Sequence, residues 1–236
     1  MAENCGRCGS ISRDREEGVP SFFLCASSSS PHGGASFSSL GIAILAAGFS
    51  RRMGQQKLLL PLGEKPVLAH AMDRMNQLPW GRRLVVIGEP RQSLADLSMS
   101  RGFQAVYNEW REEGQASSVR LAVSTLCPLD GLSGFVFLPG DQPFIEPTLV
   151  TAMADAFFQK NDRRAIVVPR HEGQWRSPVL FGAAWRSALS TLTGDRGGRD
   201  LIQKNPGCVV SVDWADERPF ADVDTWIDYE ALQQQK

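Results

Sequence analysis

From residue 41 onward, short continuous apolar runs alternate with stretches of helical periodicity, and this alternation leaves few folds open. Gly41-Ile42-Ala43-Ile44-Leu45-Ala46 is an apolar run soon ended by glycine, as a strand buried on both faces would be. Residues 66–78 then carry Val67, Leu68, Ala71, Met72, Met75 and Leu78 at helical spacing, opened by Pro66, a residue suited to a first helical turn. Further strands are expected at Leu84-Val85-Val86-Ile87-Gly88, 103–107, Phe135-Val136-Phe137-Leu138, 165–169, 179–181 and 208–212. Helices are expected over 117–126, 147–159, 183–191, 197–203 and from Thr225 onward. Strands that alternate with helices give an α/β domain with a mostly parallel sheet covered on both faces. No internal repeat and no heptad pattern competes with that reading.

Composition removes other classes. The 236 residues are 42% apolar, too many for a disordered chain, and the formal net charge of −1 lacks the cationic excess of a general nucleic-acid binder. No window approaches the 18 apolar residues of a membrane span. Five cysteines, an odd count in a long chain, do not read as a disulfide framework. The expectation is a soluble, cytoplasmic protein. Residues 1–40 differ from the rest, holding ten serines, three of the five cysteines and almost no apolar periodicity. A metal site from Cys5, Cys8, Cys25 and His32 would want a second closely spaced ligand pair, which the gap between Cys25 and His32 does not supply. The run from Phe22 to Ala26 is too short for a signal-peptide core. Residues 1–40 are therefore expected to be a disordered or non-native extension, and 41–236 one domain.

In a parallel sheet, ligands bind beyond the carboxyl ends of the strands. Three segments put polar chemistry there. The loop after the first strand, Leu45-Ala46-Ala47-Gly48-Phe49-Ser50-Arg51-Arg52-Met53-Gly54-Gln55-Gln56-Lys57, combines small residues that admit an anion to the backbone with the charges of Arg52 and Lys57. It lacks the Gly-Lys-Ser/Thr of a P-loop, and the dinucleotide fingerprint would need glycine at Ser50. Asp141 follows the strand ending Leu138-Pro139-Gly140 and stands at the sheet edge; it could equally be a turn or capping residue. In Asp222-Val223-Asp224-Thr225-Trp226-Ile227-Asp228, the two carboxylates Asp222 and Asp224 fall on one side of an extended segment, while Thr225 and Asp228 resemble a helix start. An Arg/Lys loop with carboxylates from separate strand ends is what Mg²⁺-dependent nucleotidyl transfer requires, since Mg²⁺ takes few carboxylates together with phosphate oxygens.

The run LAAGFSRRMGQQKLLLPLGEKPVL resembles the signature loop of the nucleotidyltransferases similar to molybdenum cofactor cytidylyl- and guanylyltransferases. The same resemblance takes in NEWREEGQASSVRLAV from Asn108, LPGDQP at 138–143, RSPVLF at 176–181, TGDRGGRDLI at 193–202 and DVDTWIDYEAL at 222–232. It implies a Rossmann-like three-layer α/β/α fold. It also implies that Leu45, Ala46, Ala47, Gly48 and Ser50 line the nucleotide, with Gly114, Ser117 and Ser118 helping to recognise the base. Arg52 and Lys57 would hold the triphosphate, Asp141 would be the main Mg²⁺ ligand (Mn²⁺ substituting), and Asp222 and Asp224 would supply the second carboxylate. Ser177, Pro178, Gly194, Asp195, Gly197 and Arg199 would face the acceptor.

The implied reaction joins CTP to the molybdopterin-type molybdenum cofactor, giving molybdopterin cytosine dinucleotide and pyrophosphate. Its further partner would be an apo-molybdoenzyme or an insertion chaperone, with neither nucleic acid nor membrane involved. The guanylyl branch usually has Leu-Ala-Gly-Gly where this chain has Leu45-Ala46-Ala47-Gly48, so Ala47 favours cytidine. Ser177 and Gly198 depart from the usual family residues, which bears on the acceptor and not on the transfer itself. The alternatives are a GTP-using or sugar- or polyol-phosphate nucleotidyltransferase, and a non-catalytic carrier of the cofactor. Neither His70 nor His171 is expected to be catalytic.

Overall fold

The first apolar run forms β1 (Leu40–Ala46), a central strand of an eight-stranded sheet in a computed structural model that describes residues 36–126 and 131–234. Residues 1–35, with the Cys5, Cys8, Cys25 and His32 grouping, lie outside the described residues. After β1 come a small hairpin, β2 (Pro61–Leu62) with β3 (Lys65–Pro66), then α1 (Val67–Met75), β4 (Arg82–Ile87), α2 (Arg91–Met99) and β5 (Gln104–Tyr107). The chain continues through α3 (Gln115–Leu126), β6 (Gly134–Pro139), α4 (Pro147–Lys160), β7 (Ile166–His171), β8 (Gln174–Trp175) and β9 (Val179–Gly182). It closes with α5 (Arg186–Ser190), α6 (Arg199–Lys204), β10 (Val209–Asp213) and α7 (Trp226–Gln234).

The strand order is β10-β7-β9-β6-β1-β4-β5, with β8 paired to β7. Every pairing along that path is parallel except those of β9, which runs antiparallel to both β6 and β7. From β1 the chain steps outward to β4 and β5, then returns to lay β6 against the other side of β1. The strand order therefore reverses between β1 and β6, and a crevice opens beyond their carboxyl ends.

Period-two alternation divides the core between two faces. Ile42, Ile44, Ala46, Val85, Ile87, Val136 and Leu138 meet the buried sides of α1, α2, α4 and α7, while Ala43, Leu84, Val86, Phe135 and Phe137 meet those of α3, α5 and α6. The result is the three-layer α/β/α arrangement expected of the sequence.

Several details differ from that expectation. The first helix stops at Met75, three residues early: Asn76 caps it through its N–H to Met72, its side chain turns to the carbonyl of Arg101, and Pro79 follows. Helix α2 escapes a periodicity reading because only Leu94 and Ser98 of its nine residues are buried; the Glu89 carboxylate, which accepts from Arg91 N–H at 2.8 Å, helps begin it. The two-residue strands β2, β3 and β8 are too short to alternate visibly. Packing also begins before residue 40, where Phe37 sets its ring edge-on to Trp80 with centroids 5.0 Å apart.

Ile42 lies fully buried at the middle of β1. Ile42→Ala should lower unfolding free energy by about 3 kcal/mol; a urea midpoint shifted down at unchanged slope checks this.

Candidate active site

The loop between β1 and Leu58 has to hold an irregular path, and it does so with its own polar side chains. Ser50 sits in the left-handed region at φ 51°, and its carbonyl accepts from the N–H groups of Met53 and Gly54. Its hydroxyl donates to Gln56 Oε1 at 3.0 Å and accepts from the N–H of Lys57 at 3.2 Å. Gln56 in turn donates to the carbonyl of Glu89 at 2.6 Å and accepts from the N–H of Leu58. Buried Met53 and Leu58 anchor the loop to the core. Gln56, which the sequence reading passed over, thereby aims Lys57 inward; glutamine beside a charged loop carries no signal of that role.

Lys57 Nζ donates to Asp141 Oδ2 at 2.5 Å and to Asp224 Oδ1 at 2.8 Å, and Arg52 Nη1 reaches the other oxygen of Asp224 at 3.1 Å. Two further contacts register these segments. The N–H of Gly140 bonds the carbonyl of Leu45 at 2.9 Å, and that of Val223 bonds the carbonyl of Asp141 at 3.1 Å. Val223 is fully buried, so the extended segment turns its flanking carboxylates outward. Asp228 closes the segment as a helix cap, accepting from the N–H and hydroxyl of Thr225 at 2.7 and 2.8 Å.

The electrostatics follow from this packing. Burial alone would depress the Lys57 ammonium, but the charges and hydrogen bonds of Asp141 and Asp224 outweigh it and hold its pKa above the ordinary lysine value. The hydrogen bond from Lys57, with the charges of Lys57 and Arg52, holds Asp224 below the usual carboxylate range. Asp222 is pushed up, first by burial and then by the charges of Asp141 and Asp224. Among the described residues no three His, Cys, Asp or Glu side chains converge closely enough to hold a metal by themselves. Asp141 and Asp224 could hold a hard cation if a ligand supplied further oxygens.

Two cavities adjoin here, and the cluster lines the larger of them. One, of about 550 Å³, is lined by Ala47, Gly48, Ser50, Arg52, Lys57, Gly114, Ser118, Asp141, Asp195 and Asp224 among others. The second, of about 390 Å³, is lined by Ser177, Val179, Phe181, Gly198, Arg199 and Asp222 among others. Leu45, Gln115 and Pro139 border both. A Cβ on Gly48 would meet nothing within 4 Å, so that glycine leaves the floor of the larger cavity open.

The expected residues do not all reach these cavities. Ala46 points into the core beside Gly140. Ser117 is buried, accepting from Asn108 Nδ2 at 2.9 Å and donating to the carbonyl of Gly114, so it braces the 114–118 turn and does not line the cavity. Asn108 also donates to Ser118 and accepts from the N–H of Trp110, an organising role invisible in sequence. Pro178 is buried and does not line either cavity, and neither do Gly194 and Gly197. Asp195, expected beside the acceptor residues, lines the larger cavity with Gly114: a Cβ on Gly114 (φ +88°) would meet Asp195 Oδ1 at 2.1 Å. Asp222 and Asp224 separate, the first lining the smaller cavity and the second the larger. The sequence reading also missed Phe49, whose ring has the guanidinium carbons of Arg51 and Arg111 each 4.6 Å from its centroid. His70 and His171 are engaged structurally, with Leu62 O 2.7 Å from His70 Nε2 and Trp214 O 3.0 Å from His171 Nδ1.

An anion-receptive loop and paired carboxylates at the switch point of a parallel sheet are the outline of a nucleotidyltransferase, and comparison with known proteins agrees. A family model described as "MobA-like NTP transferase domain" matches residues 42–209, and the chain belongs to that family. A relative named "Probable molybdenum cofactor guanylyltransferase" from Pyrococcus horikoshii is 26% identical over 178 residues, 72% of this chain and 85% of that one. The chain also matches the longer "Bifunctional protein GlmU" of Roseobacter denitrificans, 32% identical over 118 residues, which is 49% of this chain and only 26% of that protein. Among solved structures, Rv0371c from Mycobacterium tuberculosis H37Rv is 28% identical with a TM-score of 0.71, covering 83% of this chain and 97% of that one. A structure of Rv0371C in complex with manganese aligns at 25% identity and a TM-score of 0.68, covering 84% and 99%.

Lys57→Met should leave Asp141 and Asp224 facing each other without their shared cation. The side chains of Lys57 and Asp141 are only 13% and 19% exposed, whereas Asp224 is 45% exposed, so solvent screens part of the loss. A cost of about 2 kcal/mol is expected. Because the Lys57 pKa is raised, its contribution is complete at neutral pH and disappears only as pH climbs past the lysine range. Thermal denaturation of the variant at pH 7 should show the loss; an unchanged Tm would contradict it.

Proposed function

We propose that this protein is a CTP:molybdenum cofactor cytidylyltransferase, joining CTP to the terminal phosphate of molybdopterin-type cofactor and releasing pyrophosphate. The observation that carries the reading is the Lys57–Asp141–Asp224 cluster in a cavity that adjoins a second one. A group moved between two bound partners has to be charge-stabilised where they meet.

The larger cavity suits the nucleotide. Gly48 leaves its floor open, Arg52 and Lys57 would hold the triphosphate, and Gly114 with Ser118 borders the base. The smaller cavity, with Ser177, Arg199 and Asp222, suits the acceptor. Asp141 and Asp224 are an oxygen-only pair that already converges on one cation, the Lys57 ammonium, and this donor set fits Mg²⁺. The manganese in the Rv0371C structure supports a divalent ion in a related protein. Such an ion, when bound, neutralises charge on the phosphate oxygens.

An oxygen of the cofactor's phosphate attacks the α-phosphorus of CTP; that P–O bond forms as the bond to the β-phosphate bridging oxygen breaks, and pyrophosphate leaves with the electron pair. A phosphate monoester has a second pKa of about 6, so the nucleophile is already ionised and the chain needs no general base. The engagement of His70 and His171 in structural contacts is consistent with that. Arg52 and Lys57 stabilise the leaving pyrophosphate. Asp222 borders the acceptor side.

Cytidine is preferred because Ala47, where the guanylyl branch usually has glycine, borders the nucleotide cavity. The guanylyltransferase name of the Pyrococcus relative favours GTP as the second reading. Purified protein incubated with isolated cofactor, Mg²⁺ and each of the four nucleotides should form cytosine dinucleotide from CTP alone. Equal turnover of GTP would refute the base assignment. Asp141→Ala should abolish product formation and Mg²⁺-dependent nucleotide binding; near-normal activity would remove Asp141 from the reaction.

A further inference from the structure

Asp195, expected beside the acceptor, instead lines the larger cavity, and among the described residues its carboxylate has no hydrogen-bond or ion-pair partner. The residue is exposed, so a ligand in the cavity can reach it. Its loop holds it in place. The N–H of Ala116 bonds the carbonyl of Gly194 at 3.1 Å, and Arg120 Nη1 donates to the carbonyl of Leu192 at 2.7 Å. The side chain lies against Gly114, whose φ of +88° and missing Cβ make the room: a Cβ there would come within 2.1 Å of Asp195 Oδ1. A short carboxylate seated in this way is an acceptor set for a donor on the ligand.

The sign of its charge locates it along the ligand. A carboxylate opposes a triphosphate, so with Arg52 and Lys57 taking the phosphates Asp195 faces the uncharged end of a nucleotide. Ser118 lines the same cavity. Its hydroxyl accepts from buried Asn108 Nδ2 at 2.9 Å, which leaves the hydroxyl proton for an acceptor on the ligand. Gly114 and Ser118 stand one turn apart at the start of α3, a separation of roughly 5 Å. That spacing matches the two outer substituents on the hydrogen-bonding edge of a base. Cytosine and guanine each offer an amino group and a carbonyl there, whereas uracil offers two carbonyls and adenine an amino group alone.

We propose that Asp195 is a base-specificity residue: its carboxylate accepts from the amino group of the nucleobase while Ser118 donates to the carbonyl at the other end of the same edge. The pair admits a base that carries both groups and refuses uracil, whose oxygen would face the carboxylate with no proton between them. This rests on the reading of the larger cavity as the nucleotide site, and it holds for cytosine and guanine alike.

Titration calorimetry with nucleotide and Mg²⁺, before any acceptor is added, tests the assignment. Wild-type protein should bind CTP about tenfold or more tightly than UTP. Asp195→Asn keeps the shape and turns an obligate acceptor into a group that can also donate. It should weaken CTP about tenfold, the equivalent of one charge-assisted hydrogen bond, and bring UTP to a similar affinity. Tripolyphosphate, which has no base, should bind both proteins alike, and dCTP should follow CTP. Glu112→Gln, which alters a second carboxylate lining the cavity, should leave the CTP-to-UTP ratio in place. An unchanged ratio in Asp195→Asn would overturn the inference and leave triphosphate binding standing. So would an equal loss of CTP and tripolyphosphate, which marks a structural role. So would poor binding of dCTP by wild-type protein that the substitution does not worsen, which marks a ribose contact. If wild-type protein prefers GTP and the variant loses that preference, the cytidine assignment falls and this inference stands. If wild-type protein binds CTP no better than tripolyphosphate, the inference falls together with the nucleotide reading of the cavity.

Discussion

The ammonium of Lys57 ties together segments from three distant parts of the chain. It lies in the loop after β1, Asp141 follows β6, and Asp224 precedes α7, and one cation satisfies both carboxylates. The requirement propagates outward. Lys57 can reach inward only because Gln56 and Ser50 fix the loop. Asp224 faces it because Val223 is buried and bonded to the backbone of Asp141. Removing the ammonium would leave two carboxylates competing for the same small volume, so the loop, the strand end and the helix start have to be built together.

The second organising feature is a sorting of neighbours. Asp141 faces one cavity and Gln142 the other, and Asp224 and Asp222 divide in the same way. The segments at 141–142 and 222–224 therefore each contribute to both cavities. Transfer between two bound molecules needs that juxtaposition more than it needs any single strong base.

Much of the fold was legible because its signals are local. A strand buried on both faces has to be continuously apolar, and β1, the Leu84–Ile87 part of β4, and β6 are. The antiparallel course of β9 was not, since its four residues look the same in either direction and only the pairing with β6 and β7 decides it. In the site, Arg52 and Lys57 stood out as charges in a small-residue loop after a strand, Asp141 as a carboxylate after Gly140 at a strand end, and Asp224 as one of two carboxylates on one side of an extended segment. Ser117, Ala46 and Asp195 were grouped by motif and not by the direction of the side chain, and the fold turns each elsewhere. Gln56 and Asn108 act through amide hydrogen bonds, and an amide has no sequence signature until its surroundings are known.

The reversed strand has a consequence for how such a protein can change. Because β9 runs against its neighbours, its first residue, Val179, pairs with Phe137 near the carboxyl end of β6, whereas a parallel strand would begin at the opposite edge. The hairpin from His171 to Pro178 thus hangs over the crevice between two strands, β7 and β9, that pair directly with each other. Its length can vary without shifting the register of the sheet or touching the loop after β1. On the proposed reading of the smaller cavity, its wall is a detachable module on a fixed frame, and a lineage could exchange one bound partner for another by remodelling a single turn.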